Sequence, residues 1–367
     1  MSSCAKAWVA VCIAALVAVA PAVRPASAGP VLLLDADSGR VLYAEEQDDQ
    51  WFPASITKIM TAYLAFEALK AGRLKLDDTV TVSEKAHIQP PSKLGMPVGG
   101  EITVDLALRA LIVKSANDVA VMLAEKIAGS EEDFVRLMND TARRLGMTRT
   151  RFVNPNGLPI AGQVSTARDL ARLGRAALRD FPEQNAMWSL PEVRIGKQRL
   201  RSHNHLLRSF EGADGIKTGF ICDSGFNVVA SATRDSRRLI AVVLGEPSGR
   251  DRNLRAAGLL DHGFETGEWK AYLGAPTIDA MPIDPMAKEA VSVRTSVVAW
   301  DCSGRKPVRK TTRRKPPATA ARKAAPGSKA ASAAAVEQPQ QAAPAARPAK
   351  STPPAQPAPR RAPPVKE

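Results

Sequence analysis

The sequence predicts an α/β fold of the α+β kind: an antiparallel sheet flanked by helices, an all-helical subdomain inserted between its strands, and a disordered basic C-terminal tail. Three observations carry this. Strand-like runs occur early, within 31–43, and again late, within 193–245. The stretch between, from Thr103 to about Leu190, has chiefly helical apolar spacing. From Ser303 onward the chain is mostly Ala and Pro with interspersed Lys and Arg, has no aromatic residue, and cannot bury a core. Strands on either side of a helical insert must meet across it, so one sheet is expected to close between remote segments.

Residues 1–28 read as a secretory signal: Lys6, an apolar run from Ala7 to Ala20, and Ala26-Ser27-Ala28 as a small-residue cleavage site. A run this short and alanine-rich reads as a cleaved leader, with an uncleaved anchor as the alternative. Export to a periplasm or cell envelope is the expectation. Next, Val31-Leu32-Leu33-Leu34 and Val41-Leu42-Tyr43 flank Asp35-Ala36-Asp37-Ser38-Gly39-Arg40, an antiparallel hairpin with an Asp/Gly turn. Pro53 to Met60 opens a helix running to about Leu69. Ile56, Ile59, Met60, Tyr63 and Leu64 set its apolar period, and Phe66 and Leu69 spread it around the circumference, which predicts a buried helix ended by Ala71-Gly72. Pro90, Pro91, Pro97, Gly99 and Gly100 mark loops within 73–100.

Helical patterns follow at 103–113, 117–128, 131–145 and 166–179. After Pro191 the period changes to two, in Val193-Arg194-Ile195, in Phe226 to Ala232 and in Leu239 to Gly245, with Asp235-Ser236-Arg237-Arg238 as a hairpin turn. A last helix covers about Asp251 to Phe264, and Val291-Ser292-Val293 is strand-like. The predicted organisation is a signal at 1–28, one domain at 29–270, a short part-stranded extension at 271–302 and the tail at 303–367.

The formal charge of +14 is a property of the tail, where 15 Lys/Arg stand against 2 Asp/Glu; residues 29–302 carry −1. In an exported protein such a tail points to anionic envelope polymers or a membrane surface, or serves as a solvated spacer. Nucleic acid, which any polycation could bind through counterion release, is not expected as a partner. The mature chain has only Cys222 and Cys302, too few for a disulfide framework and wrongly spaced for zinc, and their pairing is left open. No metal and no cofactor is called for.

Ser55 and Lys58 lie three apart in the first turn of the predicted helix, where the free N–H groups and positive dipole end favour developing negative charge. An amine kept neutral by burial and by a nearby cation could take the hydroxyl proton, giving a serine nucleophile without histidine. The competing reading is a helix-start serine and a lysine snorkelling to the surface; the same spacing recurs at Ser3 and Lys6. Ser115-Ala116-Asn117 sits between two apolar helices, where Ser115 with Asp118 could form a capping box. Functionally, Ser115 could pass protons between Lys58 and a leaving group while Asn117 orients the amine and a substrate amide. Ser202-His203-Asn204 repeats that spacing in a polar loop. In Lys217-Thr218-Gly219, Lys217 could hold a carboxylate and lower the proton affinity of Lys58, Thr218 could donate to the same carboxylate, and Gly219 could let an extended peptide lie along the strand.

Ser-x-x-Lys, Ser-x-Asn and Lys-Thr-Gly in this order resemble the penicillin-binding protein and serine β-lactamase superfamily. The surrounding text resembles its low-molecular-mass D-alanyl-D-alanine carboxypeptidases: Pro53 to Lys58, Leu111 to Asp118, Phe152 to Leu158, Ser165 to Leu170 and Gly212 to Gly219, within about 29–266. The resemblance implies a β-lactamase/transpeptidase-like fold. It implies that Ser55 attacks the carbonyl between the terminal D-alanines of a peptidoglycan stem peptide with Lys58 as base. The N–H groups of Ser55 and Phe220 would form the oxyanion hole, Ser115 would protonate the departing D-alanine, and Lys217 and Thr218 would grip its carboxylate. β-Lactams would acylate Ser55. Where relatives carry a second β domain and an anchor helix, this chain has its basic tail, and Phe220 is bulkier than the residue some relatives place after Lys-Thr-Gly.

Three alternatives stand beside this expectation. A DD-endopeptidase cutting cross-links differs only in which amine leaves. A class A β-lactamase would need a Glu-x-x-Leu-Asn stretch between Asn117 and Lys217, and none occurs. A non-catalytic wall-binding protein would not need every catalytic position filled. His87, His203, His205 and His262 read as solvated or structural, with His205 near the cleft.

Overall fold

Period-two burial on both faces organises the protein. The computed structural model describes residues 29–272, 274–299 and 302, with backbone alone at 267–272; the predicted signal and the basic tail lie outside the described residues. Strand β1 (Val31–Asp35) is buried along its apolar run. Leu32 and Leu34 join the large core on one face, while Val31 and Leu33 join the smaller core on the other. A strand covered on both sides needs no polar alternation, which is why four apolar residues stand in a row. Strand β2 (Val41–Glu45) returns antiparallel to it, as the Asp35–Arg40 turn predicts.

A 3₁₀ turn at Ala54–Thr57 leads into α1 (Lys58–Lys70), buried around most of its circumference. The mixed region after it contains β3 (Thr79–Thr81), α2 (Glu84–His87) and β4 (Glu101–Thr103), with β3 and β4 paired as a small ribbon. The first predicted helix of the insert is α3 (Val104–Arg109), widened into a π-helical turn over Ala110–Lys114. Then come α4 (Asn117–Ala128), α5 (Glu131–Arg144) and α6 (Ala167–Asp180). Ser130 and Thr166 cap α5 and α6, accepting from the N–H groups of Asp133 and Asp169. Short α7 (Asn185–Trp188), the ribbon β5 (Glu192–Ile195) with β6 (Gln198–Arg201), and α8 (Leu206–Ser209) lead back to the main sheet.

Strands β7 (Ala213–Ile221), β8 (Gly225–Arg234) and β9 (Arg237–Glu246) complete it in the order β2-β1-β9-β8-β7, every pair antiparallel. The expected closure is the β1–β9 pair, Val31 facing Val243 and Asp35 facing Leu239. The β8–β9 turn is tighter than predicted: Asp235 and Ser236, with φ of 49° and 61°, make it alone, and Arg237 and Arg238 already belong to β9. Helix α9 (Gly249–Tyr272) runs further than the predicted end at Phe264 and covers one sheet face through Ala256 and Leu260; α1 and α6 cover the other.

Val291-Ser292-Val293 pairs with no strand, contrary to expectation. Partners elsewhere in the chain satisfy the backbone of the extension instead: Ile278 N–H donates to Gly39 O, Lys288 N–H to the side-chain Asp49 Oδ1, Val293 N–H to Asp223 O and Val298 N–H to Pro247 O. Arg168, in a fully buried ion pair with Asp48 at 2.6 Å, also donates to the carbonyls of Met281 and Pro282. A disulfide joins Cys222 to Cys302. Residues 274–299, with Cys302, thus form a strap returning to the end of β7. Among the described residues no helix is long and apolar enough to cross a membrane.

Candidate active site

Ser55 follows Ala54, whose φ of 50° places a non-glycine residue in the left-handed region. The bend is buttressed from outside. A Cβ on Gly157, itself at φ 85°, would stand 1.9 Å from Ala54 O and 2.9 Å from Ser55 N, so only glycine lets that loop press on the Ser55 backbone. Asn154 and Gln163 hold the loop in shape: Gln163 Oε1 accepts from Val153 and Asn154 N–H, and Asn154 Oδ1 accepts from Gly157 N–H. Thr61 Oγ1 donates to Pro155 O, locking it to α1.

Lys58 is 1% exposed. Its Nζ lies 2.9 Å from Ser55 Oγ, 2.8 Å from Asn117 Oδ1 and 2.5 Å from the carbonyl of Asn156. Burial holds its pKa well below the ordinary lysine value, the charge of Lys217 lowers it further, and Asp118 partly opposes both. A neutral amine has two N–H groups and one lone pair. The two acceptors, Asn117 Oδ1 and Asn156 O, take the N–H groups, and the lone pair is left toward the Ser55 hydroxyl.

Asn117 is fixed at the start of α4: its Nδ2 donates to Pro90 O, and its N–H to Ser92 O. The capping-box reading of Ser115 does not hold. Ser115 adopts φ 60° beyond the π turn, Ala116 is the N-cap, and the Asp118 carboxylate accepts from Leu94 and Gly95 N–H. The Ser115 Oγ is buried and makes no hydrogen bond among the described residues. A hydroxyl held in a rare backbone conformation and left unpaired is one the fold does not use for its own stability.

Lys217 is 3% exposed on β7, and its Nζ donates to Thr218 O. Burial, reinforced by the charge of Arg252, pushes its pKa down to about 7. The lasting cation is Arg252, buried on α9 without an acidic partner among the described residues, which burial lowers only to about 10. Gly219 also has a packing reason to be glycine: a Cβ there would stand 2.8 Å from Pro53 O and 3.1 Å from Ile56 N, because the Ser55 turn packs on β7. Phe220 stacks on Phe226 at 4.2 Å between ring centroids.

Ser55, Asn117, Thr218, Gly219 and Phe220 line one cleft of about 980 Å³, with Lys58, Ser115 and Lys217 buried nearby. Three participants went unrecognised in the sequence. Asn156 acts through a backbone carbonyl, which side-chain patterns cannot reveal. Arg252 sits in Gly249-Arg250-Asp251-Arg252, where an unusual pair of arginines at a helix start was the available signal. His203, from the Ser202-His203-Asn204 loop, lines the cleft, and partial burial of its ring together with the charges of Lys217, Lys114 and Arg252 pushes its pKa down. In that loop Asn204 serves the fold, donating to Gly215 O.

A family model described as D-alanyl-D-alanine carboxypeptidase matches residues 17–248. The chain is 41% identical over 240 residues to D-alanyl-D-alanine carboxypeptidase DacC of Escherichia coli, covering 64% of this chain and 60% of that protein. It spans about three fifths of the length of the curated relatives it matches first. Among solved structures it resembles penicillin binding protein 5 from Haemophilus influenzae, with TM-score 0.63, 37% identity, and 65% and 71% of the two chains covered. It also resembles penicillin-binding protein D2 from Listeria monocytogenes in its cefotaxime-bound form, with TM-score 0.59, 31% identity, and 65% and 97% covered.

Proposed function

The chain belongs to the D-alanyl-D-alanine carboxypeptidase family, and on that premise we propose that it removes the terminal D-alanine from peptidoglycan stem peptides through an acyl-enzyme on Ser55. The observation that carries this reading is the 2.9 Å approach of Ser55 Oγ to the amine of Lys58, buried and aligned by two acceptors. Ser55 Oγ attacks the carbonyl between the two D-alanines as its proton passes to Lys58. Charge developing on the carbonyl oxygen is received by the N–H groups of Ser55 and Phe220, a contribution of about 3 kcal/mol per donor.

Ser115 then relays a proton to the departing amine, so that D-alanine leaves neutral at nitrogen and the peptide remains as an ester on Ser55. Water attacks that ester with Lys58 again as base, restoring the serine. Lys217, Thr218 and Arg252 take the terminal carboxylate, whose charge in turn keeps Lys217 protonated. Asn117 holds Lys58 and the substrate amide. β-Lactams, which present an activated amide beside a carboxylate, acylate Ser55 in the same way. The protein is exported to the periplasm or cell envelope, where its basic tail meets anionic polymers or a membrane surface.

The test is release of free D-alanine from a pentapeptide ending in D-Ala-D-Ala, with Ser55→Ala as control. Absence of release from the wild-type protein overturns the reading. Faster cleavage of cross-linked peptide dimers than of pentapeptide would make it a DD-endopeptidase instead.

A further inference from the structure

Strand β7 is the last of its sheet, paired only with β8, and it carries Phe220, whose N–H belongs to the proposed oxyanion pair, next to its final residue Ile221. A strand held on one side opens more readily than the strands inside a sheet. An oxyanion donor is worth most when it is already aimed before charge develops. Two neighbours of Phe220 are fixed from different directions. On the side of Ser55, Gly219 lies close under Pro53 O and Ile56 N. On the other side β7 turns into β8 through Cys222-Asp223-Ser224, where Ser224 N–H donates to Ile221 O at 3.1 Å and Trp51 Nε1 to Ser224 O at 2.9 Å.

The strap, which lies outside the family-matched 17–248, seizes the same turn. Ser292 Oγ donates to Asp223 Oδ1 at 2.6 Å, Val293 N–H to Asp223 O at 3.0 Å, and Arg294 Nη2 to Asp223 Oδ2 at 3.0 Å. Further on, Val298 N–H donates to Pro247 O, just past the end of β9, and Cys302 is bonded to Cys222. Val297 and Cys302 are buried. This part of the strap therefore ties the turn of an edge strand to the end of β9, in the middle of the sheet. Each exposed polar link at Asp223 contributes little alone. The disulfide keeps the partners close, so that they close as a group.

We infer that Asp223 and the Cys222–Cys302 disulfide are positioning groups: by fastening the β7–β8 turn to the strap they keep the Phe220 N–H aimed at the oxygen on which charge develops. The inference rests on the acyl-enzyme reading above and adds to it what holds one of its donors. Such a donor counts chiefly in the transition state, so a loosened turn slows acylation and leaves the first, non-covalent complex unchanged.

The test follows labelling of the full chain by a fluorescent penicillin over a range of concentrations, which separates the Kd of the first complex from the rate constant of acylation. Cys222→Ser with Cys302→Ser and Asp223→Ala, combined, should lower that rate constant about tenfold, a fraction of the hundredfold or more that losing a donor outright costs. Kd should stay within about twofold, and every molecule should still be labelled in the end. Reducing the wild-type disulfide with a phosphine should slow acylation in the same direction, and reoxidation should restore it. Ser292→Ala with Arg294→Gln, which keeps the disulfide, should also slow it. An unchanged rate constant in the combined variant overturns the inference. So does a loss confined to the labelled fraction, which would make the fastening a matter of folding alone, or one confined to Kd. Failure of the wild-type protein to be labelled at all overturns the acyl-enzyme reading itself.

Discussion

Lys58 and Lys217 are buried within range of each other's charge, and Lys217 depresses the proton affinity of Lys58. Two titrations of opposite effect follow for the proposed reaction. Activity rises with pH as Lys58 becomes the free base, and because its pKa is far below 10.5 this happens well short of the usual lysine range. Above about 7 Lys217 gives up the charge that would hold the substrate carboxylate. The expected profile of kcat/KM is a bell. In the saturated complex the bound carboxylate retains the Lys217 proton, so kcat should hold to higher pH than kcat/KM does. Initial rates of D-alanine release across the pH range check this; a flat profile from acid to alkali contradicts it.

Lys58→Arg should abolish acylation although it preserves a cation. A guanidinium does not deprotonate in proteins, so it offers no lone pair to the Ser55 hydroxyl. Labelling by a fluorescent penicillin should slow by at least about a thousandfold. Near wild-type labelling would show that the amine is not the base.

Lys217→Met should destroy activity and stabilise the fold. With its pKa at about 7 in the folded protein against 10.5 as the reference value, Lys217 binds more proton when unfolded between those limits. Wild-type stability therefore gains from Lys217 as pH rises through that window, and below it the buried charge weighs fully against folding. The variant's Tm should exceed wild type by a few degrees near pH 6, a lead that shrinks toward pH 10. Thermal unfolding at the two pH values decides.

Arg168→Met should cost about 3–5 kcal/mol, because it leaves the Asp48 carboxylate buried without its partner. It also frees the carbonyls of Met281 and Pro282 that Arg168 binds in the strap. Arg168→Met with Asp48→Asn should lose less than the single variant, a non-additivity that urea titration can read. Additive losses would mean that the pair is not coupled.

Much of this was legible because local patterns and global fold agree. The Val31–Leu34 run, the helical spacing of α4 to α6 and the alternation in β8 and β9 each report the surface they bury. Ser55, Lys58, Asn117 and Lys217 were visible as spaced side chains, and burial then supplied the chemistry. What escaped depends on tertiary contact alone. The Asn156 carbonyl reaches Lys58 because of a loop whose side chains bond one another, and Gly219 is glycine because of Pro53, far away in sequence. Val291-Ser292-Val293 alternates as a strand would, but its partner is the backbone of Asp223 rather than a sheet edge.

The pairing of Val31 with Val243 also sets when the domain can exist. Strand β1 meets its inner neighbour only once the chain through Glu246 has been made, and until then β2 is its sole available partner. A ribosome-bound fragment ending anywhere earlier lacks the strand that joins the two halves of the sheet. Resistance to proteolysis should consequently appear late in synthesis and in a single step, and pieces cut within the helical insert should recover it only when both are supplied together.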